Sequence, residues 1–189
     1  MDFYDDPNNV NTYLSMSDGY DGKFLIEKLK EQLKAGSKVL ELGMGPGKDQ
    51  VMLRECYEAI GSDRSQVFLD LFKAEHGEKG LLLLDAVGIE TELIFDCIYT
   101  NKVLQHLTTS DLEKSIQHQF ERLNKGGIVL HSFWLGEGEE IYNGLRFVYY
   151  MEAPLIKVFE KKFEIIRVEQ YTEDEENDSI YIIAKKVIR

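Results

Sequence analysis

Residues 39–49 read Val-Leu-Glu-Leu-Gly-Met-Gly-Pro-Gly-Lys-Asp, an apolar run that enters a turn with three alternating glycines. The apolar run predicts a buried strand, and the glycine-rich turn after it predicts the tight start of a helix. Because Gly43, Gly45 and Gly47 carry no Cβ, the backbone of the turn can pass close to a ligand that lies across the strand end. The stretch therefore predicts an α/β protein with a nucleoside-containing cofactor.

The spacing of the glycines excludes two common phosphate loops. A P-loop needs Gly-x4-Gly-Lys-Ser/Thr, but Leu42 stands at its first glycine and Asp49 at its hydroxyl position. A dinucleotide fingerprint that starts at Gly43 has a lysine where its third glycine belongs. The pattern that remains is acid-x-Gly-x-Gly-x-Gly, with Glu41 as the acid. A carboxylate there repels a pyrophosphate and suits a ligand that carries an ammonium group.

Further acids stand at the ends of the next predicted strands. Asp63 ends the second strand, about 20 residues beyond the loop, where nucleotide-binding α/β folds hold a ribose diol. The third strand ends in Asp85-Ala86, and the fourth, residues 94–101, contains Thr100 near its end. Taken singly, Asp63 and Asp85 are equally consistent with caps or turn formers. Together these positions mark the crevice where open parallel sheets bind ligands.

The combination resembles motif I and the following strand ends of class I S-adenosylmethionine-dependent methyltransferases. The resemblance implies that Glu41 binds the methionine ammonium, Asp63 holds the ribose, and Asp85 and Ala86 read the adenine. It also implies that Arg64 lines the adenosine and that Thr100 closes the methionine side. The cofactor-binding residues that it implies are Tyr20, Glu41, Gly43, Met44, Gly45, Asp63, Arg64, Asp85, Ala86 and Thr100.

The alternation of helices and strands predicts a mostly parallel sheet with helices on both faces. Residues 163–171 and 179–187 are joined by an acidic run too short for a crossover, so they should form an antiparallel hairpin. The resemblance implies a Rossmann-like three-layer α/β/α sandwich, seven strands in the order 3-2-1-4-5-7-6, with an antiparallel terminal strand. Residues 1–189 are predicted to form one domain. Residues 1–22 are a candidate lid, with aromatic and apolar side chains at Phe3, Tyr4, Tyr13, Met16 and Tyr20.

Composition limits the partners of the chain. Its 189 residues carry a net charge of −12, and its basic residues are scattered, which argues against a nucleic-acid partner. No apolar run reaches membrane-spanning length and no targeting peptide is recognisable, so we predict a cytoplasmic protein without a membrane partner. The two cysteines and four histidines show no metal-ligand spacing, and no metal is predicted. The sequence does not specify an oligomeric state.

The predicted function is transfer of a methyl group to a small-molecule acceptor by in-line displacement. Where the acceptor must lose a proton, His131 in the fifth strand is the candidate base, with His106 the weaker one, and Trp134 is a candidate for the acceptor pocket. The alternative for both histidines is a packed, hydrogen-bonded place in the core. The segment 136–150 is expected at the acceptor pocket, although its aromatic residues are equally consistent with a cover for the sheet edge.

Two other classes of function remain open at this stage. A non-catalytic cofactor-binding or regulatory subunit would keep the glycine loop and lack an acceptor pocket. An NAD-dependent oxidoreductase shares the first half of the fold and the acid at Asp63. The broken glycine spacing and the predicted terminal hairpin count against the oxidoreductase.

Overall fold

The computed structural model of the chain describes residue 10 and residues 19–142 and 144–187. Of the predicted lid residues, Phe3, Tyr4, Tyr13 and Met16 lie outside these ranges. The helices are α1 (Lys23–Lys30), α2 (Lys48–Cys56), α3 (Gln66–His76), α4 (Thr109–Arg122) and α5 (Glu152–Phe159), with a 3-10 turn at Leu104–His106. The strands are β1 (Lys38–Leu42), β2 (Glu58–Asp63), β3 (Leu81–Leu83), β4 (Phe95–Asn101), β5 (Leu123–Trp134), β6 (Glu139–Tyr142), β7 (Leu145–Val148), β8 (Phe163–Tyr171) and β9 (Ser179–Lys186).

Seven of the strands form one sheet in the order β3-β2-β1-β4-β5-β9-β8. Strands β1 to β5 pair in parallel, while β9 runs antiparallel to both of its neighbours, β5 and β8. Strands β6 and β7 form a separate two-stranded hairpin. When that hairpin is left out of the count, the sheet has the predicted order 3-2-1-4-5-7-6, and the predicted fold class is confirmed.

Helices cover the two faces of the sheet, and each face has its own apolar core. On β1, Leu40 and Leu42 are fully buried on the face that α4 and α5 cover, while Val39 packs with α1 and α2 on the other. This alternation follows from the two-residue period of a strand. Burial of each such side chain contributes about 1.5–3 kcal/mol, so the carboxyl end of β1 is held rigidly. None of the described helices is long and apolar enough to span a membrane.

The hairpin of β6 and β7 is an element that the sequence did not predict. Glu139 pairs with Val148 and Tyr142 with Leu145, and Gly144 in the turn between them has a φ of +81°. Every residue of β6 is exposed, so this strand lacks the alternation of apolar and polar side chains that usually identifies one. The hairpin follows β5 and lies over the carboxyl ends of the parallel strands.

Strand β5 begins at Leu123, directly after the end of α4. Leu123 pairs with Phe95, and after an irregularity the ladder resumes with Ile128 opposite Cys97. Asp96 lies inside the irregular stretch, where its carboxylate accepts hydrogen bonds from the Lys38 backbone N–H (2.9 Å) and the Asn124 amide (2.8 Å). Asp96 therefore connects the starts of β1 and β5. These starts lie at the amino-terminal ends of the parallel strands, opposite the ligand crevice.

Candidate functional site

The glycine loop between β1 and α2 fits its surroundings only without side chains. Gly43, Gly45 and Gly47 all have positive φ angles, of +70°, +51° and +84°. A Cβ on Gly43 would lie 2.6 Å from Cγ1 of Val103, and one on Gly47 would overlap the ring of Phe72. The backbone conformation therefore favours glycine at all three positions, and the close approach of neighbours requires it at Gly43 and Gly47.

Asp63, at the end of β2, fastens the loop to the next strand. Its Oδ2 accepts a hydrogen bond from the Gly45 N–H at 2.9 Å, and its Oδ1 accepts one from the Ser65 N–H at 2.8 Å. Burial raises the pKa of this carboxyl, while the backbone N–H donors act in the opposite direction. The Arg64 backbone N–H also bonds this carboxyl, and the four lone pairs of a carboxylate still leave capacity for a further donor. Asp63 is thus both a turn former and a candidate partner for a ribose diol.

A cluster of buried acids lies beneath the loop. Glu41 is only 3% exposed, and its Oε2 has no hydrogen-bond partner among the described residues. Burial raises its pKa well above the usual range, and the nearby carboxylates of Asp49 and Asp63 raise it further. An unpaired buried carboxylate is unfavourable, so the cluster favours a cationic ligand that would compensate its charge.

Asp49 joins three segments of the chain at this cluster. It accepts hydrogen bonds from the Gly22 N–H (2.6 Å), the Tyr99 hydroxyl (2.7 Å) and the Asn101 amide (3.1 Å). Burial raises the pKa of Asp49, and these three donors oppose that shift. The network fixes the chain before α1 against the end of β4 and the first turn of α2.

A cavity of about 320 Å³ opens at the carboxyl ends of β1 to β4. The glycine loop and Asp63 form one side, the segments that follow β3 and β4 form its walls, and the β6–β7 hairpin contributes the opposite side. A volume of this order is typical of small-ligand sites. The lining residues are Gly43, Gly45, Asp63, Arg64, Phe68, Leu84, Asp85, Ala86, Asn101, Lys102, Val103, His106, Leu107, Gly144, Leu145 and Arg146.

Seven of the residues singled out from the sequence meet in this cavity. They come from the glycine loop, from the ends of β2 and β3 and from the turn after β4, and they are Gly43, Gly45, Asp63, Arg64, Asp85, Ala86 and His106. The other six do not line it: Tyr20, Glu41, Met44, Thr100, His131 and Trp134. Of these, Glu41 lies in the acid cluster under the loop, and Met44 packs with Leu69 and Phe72 in a small apolar cluster.

His131 and Thr100 lie in the core, away from their predicted places. His131 is 0% exposed, with Nδ1 2.9 Å from the Thr100 hydroxyl and Nε2 2.8 Å from Oε1 of Gln119 on α4. Burial lowers the pKa of His131 to about 3. The ring packs against Phe159 of α5, on the face of the sheet opposite Val39 and Glu41. This geometry favours the core alternative for His131, and it turns the Thr100 side chain away from the methionine side.

Tyr20 and Trp134 do not line the cavity, but each contacts a lysine close to it. The Tyr20 backbone carbonyl accepts a hydrogen bond from Nζ of Lys48 at 3.3 Å, and the Tyr20 side chain is partly exposed. The Trp134 ring lies 3.5 Å from the Nζ of Lys102, which also contacts Glu173 at 3.2 Å. Lys102 lines the cavity with a φ of +58°, and burial lowers its pKa to about 8. Trp134 therefore supports a strained segment of the cavity wall.

Several lining residues were not selected from the sequence. Asn101 ends β4 and Lys102 and Val103 follow it, so their position at a strand end was a signal that could have identified them. Asp49 does not line the cavity but belongs to the acid cluster, and it stands in the first turn of a helix, where acids are common for reasons of helix stability alone. Leu145 and Arg146 reach the cavity only because of the hairpin, for which the sequence has no periodic signal.

The arrangement described above, a glycine loop after β1 followed by acids at the next strand ends and an antiparallel last strand, defines a nucleoside site of the class I methyltransferase type. A family described as "Methyltransferase domain" matches residues 19–165. The match covers most of the chain, and the chain belongs to this family. The cofactor assigned to the site is accordingly S-adenosylmethionine. The comparison with curated proteins gave no significant match.

Solved structures with the same fold are distant in sequence. A 1,6-didemethyltoxoflavin-N1-methyltransferase from Burkholderia thailandensis, with its substrate and S-adenosylhomocysteine bound, has a TM-score of 0.81 at 15% identity, over 96% of this chain and 86% of that one. An S-adenosylmethionine-dependent methyltransferase from Clostridium acetobutylicum has a TM-score of 0.77 at 16% identity, over 94% and 99%. A putative methyltransferase from Haloferax volcanii, solved with an activator protein, has a TM-score of 0.80 at 13% identity, over 100% and 99%.

Proposed function

We propose that this protein transfers the methyl group of S-adenosylmethionine to a small-molecule acceptor by in-line displacement. The observation that carries the proposal is the buried acid cluster beneath the glycine loop, in which one oxygen of Glu41 has no partner among the described residues. The methionine end of this cofactor presents an ammonium group, and its sulfur is also positively charged. With its carboxylate included, this end of the cofactor has a net charge of about +1, which compensates the cluster where a pyrophosphate would add to its repulsion.

The other residues of the cavity fit the rest of the cofactor. The Asp63 carboxylate keeps acceptor capacity for a ribose hydroxyl beside its backbone donors, and a charge-assisted hydrogen bond of this kind contributes about 1.5–3 kcal/mol. Asp85 and Ala86 stand at the end of β3, beside Arg64, where we place the adenine. When bound, S-adenosylmethionine supplies an electrophilic methyl group on a cationic sulfur.

The remaining side of the cavity suits an acceptor. Val103, Leu107 and Leu145 contribute apolar walls there, and such walls exclude water from a reacting cation. The protein needs to align donor and acceptor, and alignment alone accounts for about 7–11 kcal/mol of a barrier at best. The small molecule bound in the Burkholderia methyltransferase supports a small acceptor.

Isothermal titration calorimetry with S-adenosylmethionine, S-adenosylhomocysteine and NAD tests the cofactor. We expect both adenosyl ligands to bind and NAD not to bind, because the acid cluster repels a pyrophosphate. Tight NAD binding, or no binding of the adenosyl ligands, would reject the proposal.

Incubation of the protein and cofactor with pooled metabolites, with S-adenosylhomocysteine as the measured product, then identifies the acceptor. Formation of that product above the level without acceptors is expected of an enzyme. Cofactor binding without any acceptor-dependent product would favour the non-catalytic subunit instead.

A further inference from the structure

His106 lies where the hairpin closes over the cavity. It ends the 3-10 turn after β4, and its ring lines the cavity together with Asp63 and Val103. Its Nδ1 is 2.6 Å from the backbone carbonyl oxygen of Arg146 on β7. The Phe147 ring packs edge-on against it, with the ring centroids 4.7 Å apart. The imidazole is therefore held from one side by the hairpin backbone and from another by an aromatic ring.

The contact with Arg146 decides which nitrogen of the ring carries a proton. A carbonyl oxygen only accepts hydrogen bonds, so Nδ1 must be the donor. In the neutral imidazole Nε2 then carries the lone pair. Among the described residues Nε2 has no hydrogen-bond partner. It is also not one of the fully buried side-chain atoms that lack a partner. Since the ring lines the cavity, the lone pair is available to a molecule bound there.

We propose that His106 is the general base of the reaction and that the acceptor is an amine or hydroxyl compound whose proton it removes. This inference rests on the proposed function. As the acceptor nitrogen or oxygen forms its bond to the methyl carbon, the carbon–sulfur bond breaks and its electron pair stays on sulfur. The N–H or O–H proton of the acceptor passes to Nε2, and the imidazolium later releases it to water. The positive charge lost from sulfur thus reappears on His106, so the net charge within the cavity is unchanged.

The charged groups around the ring are consistent with a base that is neutral before reaction. Arg64, Asp63 and Asp85 line the cavity, while the charges of Lys102 and Arg146, two further lining residues, are paired with Glu173 and Glu139. Burial lowers the pKa of His106 and the Arg64 charge lowers it further, while the hydrogen bond to Arg146 raises it. That same hydrogen bond stabilises the imidazolium once it forms, as an orienting partner does for a catalytic histidine.

Nitrogen NMR of the full-length chain, saturated with S-adenosylhomocysteine, tests the state of the ring directly. His106 is assigned through H106N, and His118, whose Nδ1 lies 2.7 Å from the Val87 carbonyl, is an internal reference of the same geometry. At about pH 7 we expect a proton on Nδ1 and none on Nε2. A proton on Nε2, or a doubly protonated ring at that pH, would overturn the proposal.

Kinetics with H106N separate a base from a structural histidine. The asparagine amide can still donate to Arg146 but cannot take up a proton. With phenol or benzylamine as acceptor we expect kcat/KM to fall about 100-fold or more, and the limb of the pH profile that rises toward neutral pH to disappear. With thiophenol, which is ionised at neutral pH, we expect a change below about threefold because a thiolate needs no base.

H118N is the matched control, and its kcat/KM for all three acceptors should equal that of the wild type. S-adenosylmethionine should bind H106N with the affinity of the wild type. If the wild type fails to bind S-adenosylmethionine, the proposed function is wrong. If both proteins bind it and H106N has the kcat/KM of the wild type on phenol as well as on thiophenol, only the assignment of His106 is wrong. An equal loss on both acceptors would likewise make His106 a structural residue.

Discussion

The two sides of the cavity are built in different ways. The cofactor side consists of the glycine loop and the ends of β2 and β3, where Asp63 is bonded to two backbone N–H groups and Glu41 is buried at 3% exposure. The proposed acceptor side includes a two-stranded hairpin, whose strand β6 is exposed throughout. The first side is held by the core of the sheet, and the second is an addition to that core. Substitutions on the first side should therefore change cofactor affinity, and substitutions on the second should change KM for the acceptor.

Gly43→Ala should have the largest effect, on the cofactor side. The new Cβ would lie 2.6 Å from Cγ1 of Val103 and would strain a φ of +70°, so we expect cofactor affinity to fall about 100-fold or more. Calorimetry measures the affinity. Gly36→Ala is the control, because Gly36 has a φ of +79° but nothing within 4 Å of a Cβ. It should reduce stability by about 1–2 kcal/mol and leave the affinity unchanged. Equal affinity losses would contradict the importance of the close approach.

Asp63→Ala should weaken cofactor binding by about 1–3 kcal/mol or more, since it removes the proposed ribose acceptor. Asp96→Ala is matched to it, because Asp96 is also a strand acid with a backbone N–H donor but lies away from the crevice. We expect Asp96→Ala to lower the denaturation midpoint without changing affinity by calorimetry. Unchanged affinity in Asp63→Ala would place the ribose elsewhere.

Glu41→Gln should stabilise the free chain and weaken its complex with the cofactor. The pKa of Glu41 is raised in the folded state, so the free energy of unfolding falls as the pH rises from the usual carboxyl range through that raised pKa. The glutamine variant lacks this fall, and at neutral pH it should be more stable by about 1 kcal/mol or more, with about tenfold lower cofactor affinity. Urea denaturation at acidic and neutral pH, together with calorimetry, checks both effects. Parallel pH profiles for the two proteins would contradict the burial of an unpaired charge.

His131→Asn should change stability and leave the cavity intact. The pKa of His131 is lowered to about 3, below its unfolded value, so the wild type loses stability as the pH falls from about 6.5, by at most about 1.4 kcal/mol per unit. We expect the variant to lose about 1 kcal/mol at neutral pH and to show a flatter acid limb. Cofactor affinity and kcat/KM should change little. A catalytic loss without any change in stability would restore the original interpretation of His131.

Ile141→Ser should have the smallest effect, below about 0.5 kcal/mol in stability, because Ile141 on β6 is 70% exposed. Leu145→Ser on the facing strand is the contrast, since Leu145 lines the cavity. It should raise KM for the acceptor and leave cofactor affinity unchanged, as measured by initial rates and calorimetry. A loss of cofactor affinity in Leu145→Ser would show that the two sides are not separable.

The sequence predicted the sheet and the glycine-loop side of the cavity better than the hairpin side, and the reason is physical. Strand order and the place of Asp63 follow from apolar runs and from the geometry of parallel strands, which are local patterns. Whether His131 faces a ligand or a helix depends on where α4 and α5 pack, and no residue near His131 specifies that. Glu41 was selected for its charge. That its carboxylate is buried without a hydrogen-bond partner, close to Asp49 and Asp63, depends on the packing of the fold and could not be read from the sequence.

The hydrogen bond between His106 and the Arg146 carbonyl has a consequence for how this site can diverge. The main chain provides the oriented acceptor, so any residue that keeps the hairpin paired can occupy position 146. Side chains along β7 can then be exchanged to accommodate other acceptors while the imidazole keeps one tautomer. An engineer could randomise the hairpin surface and still retain the orientation of the proposed base.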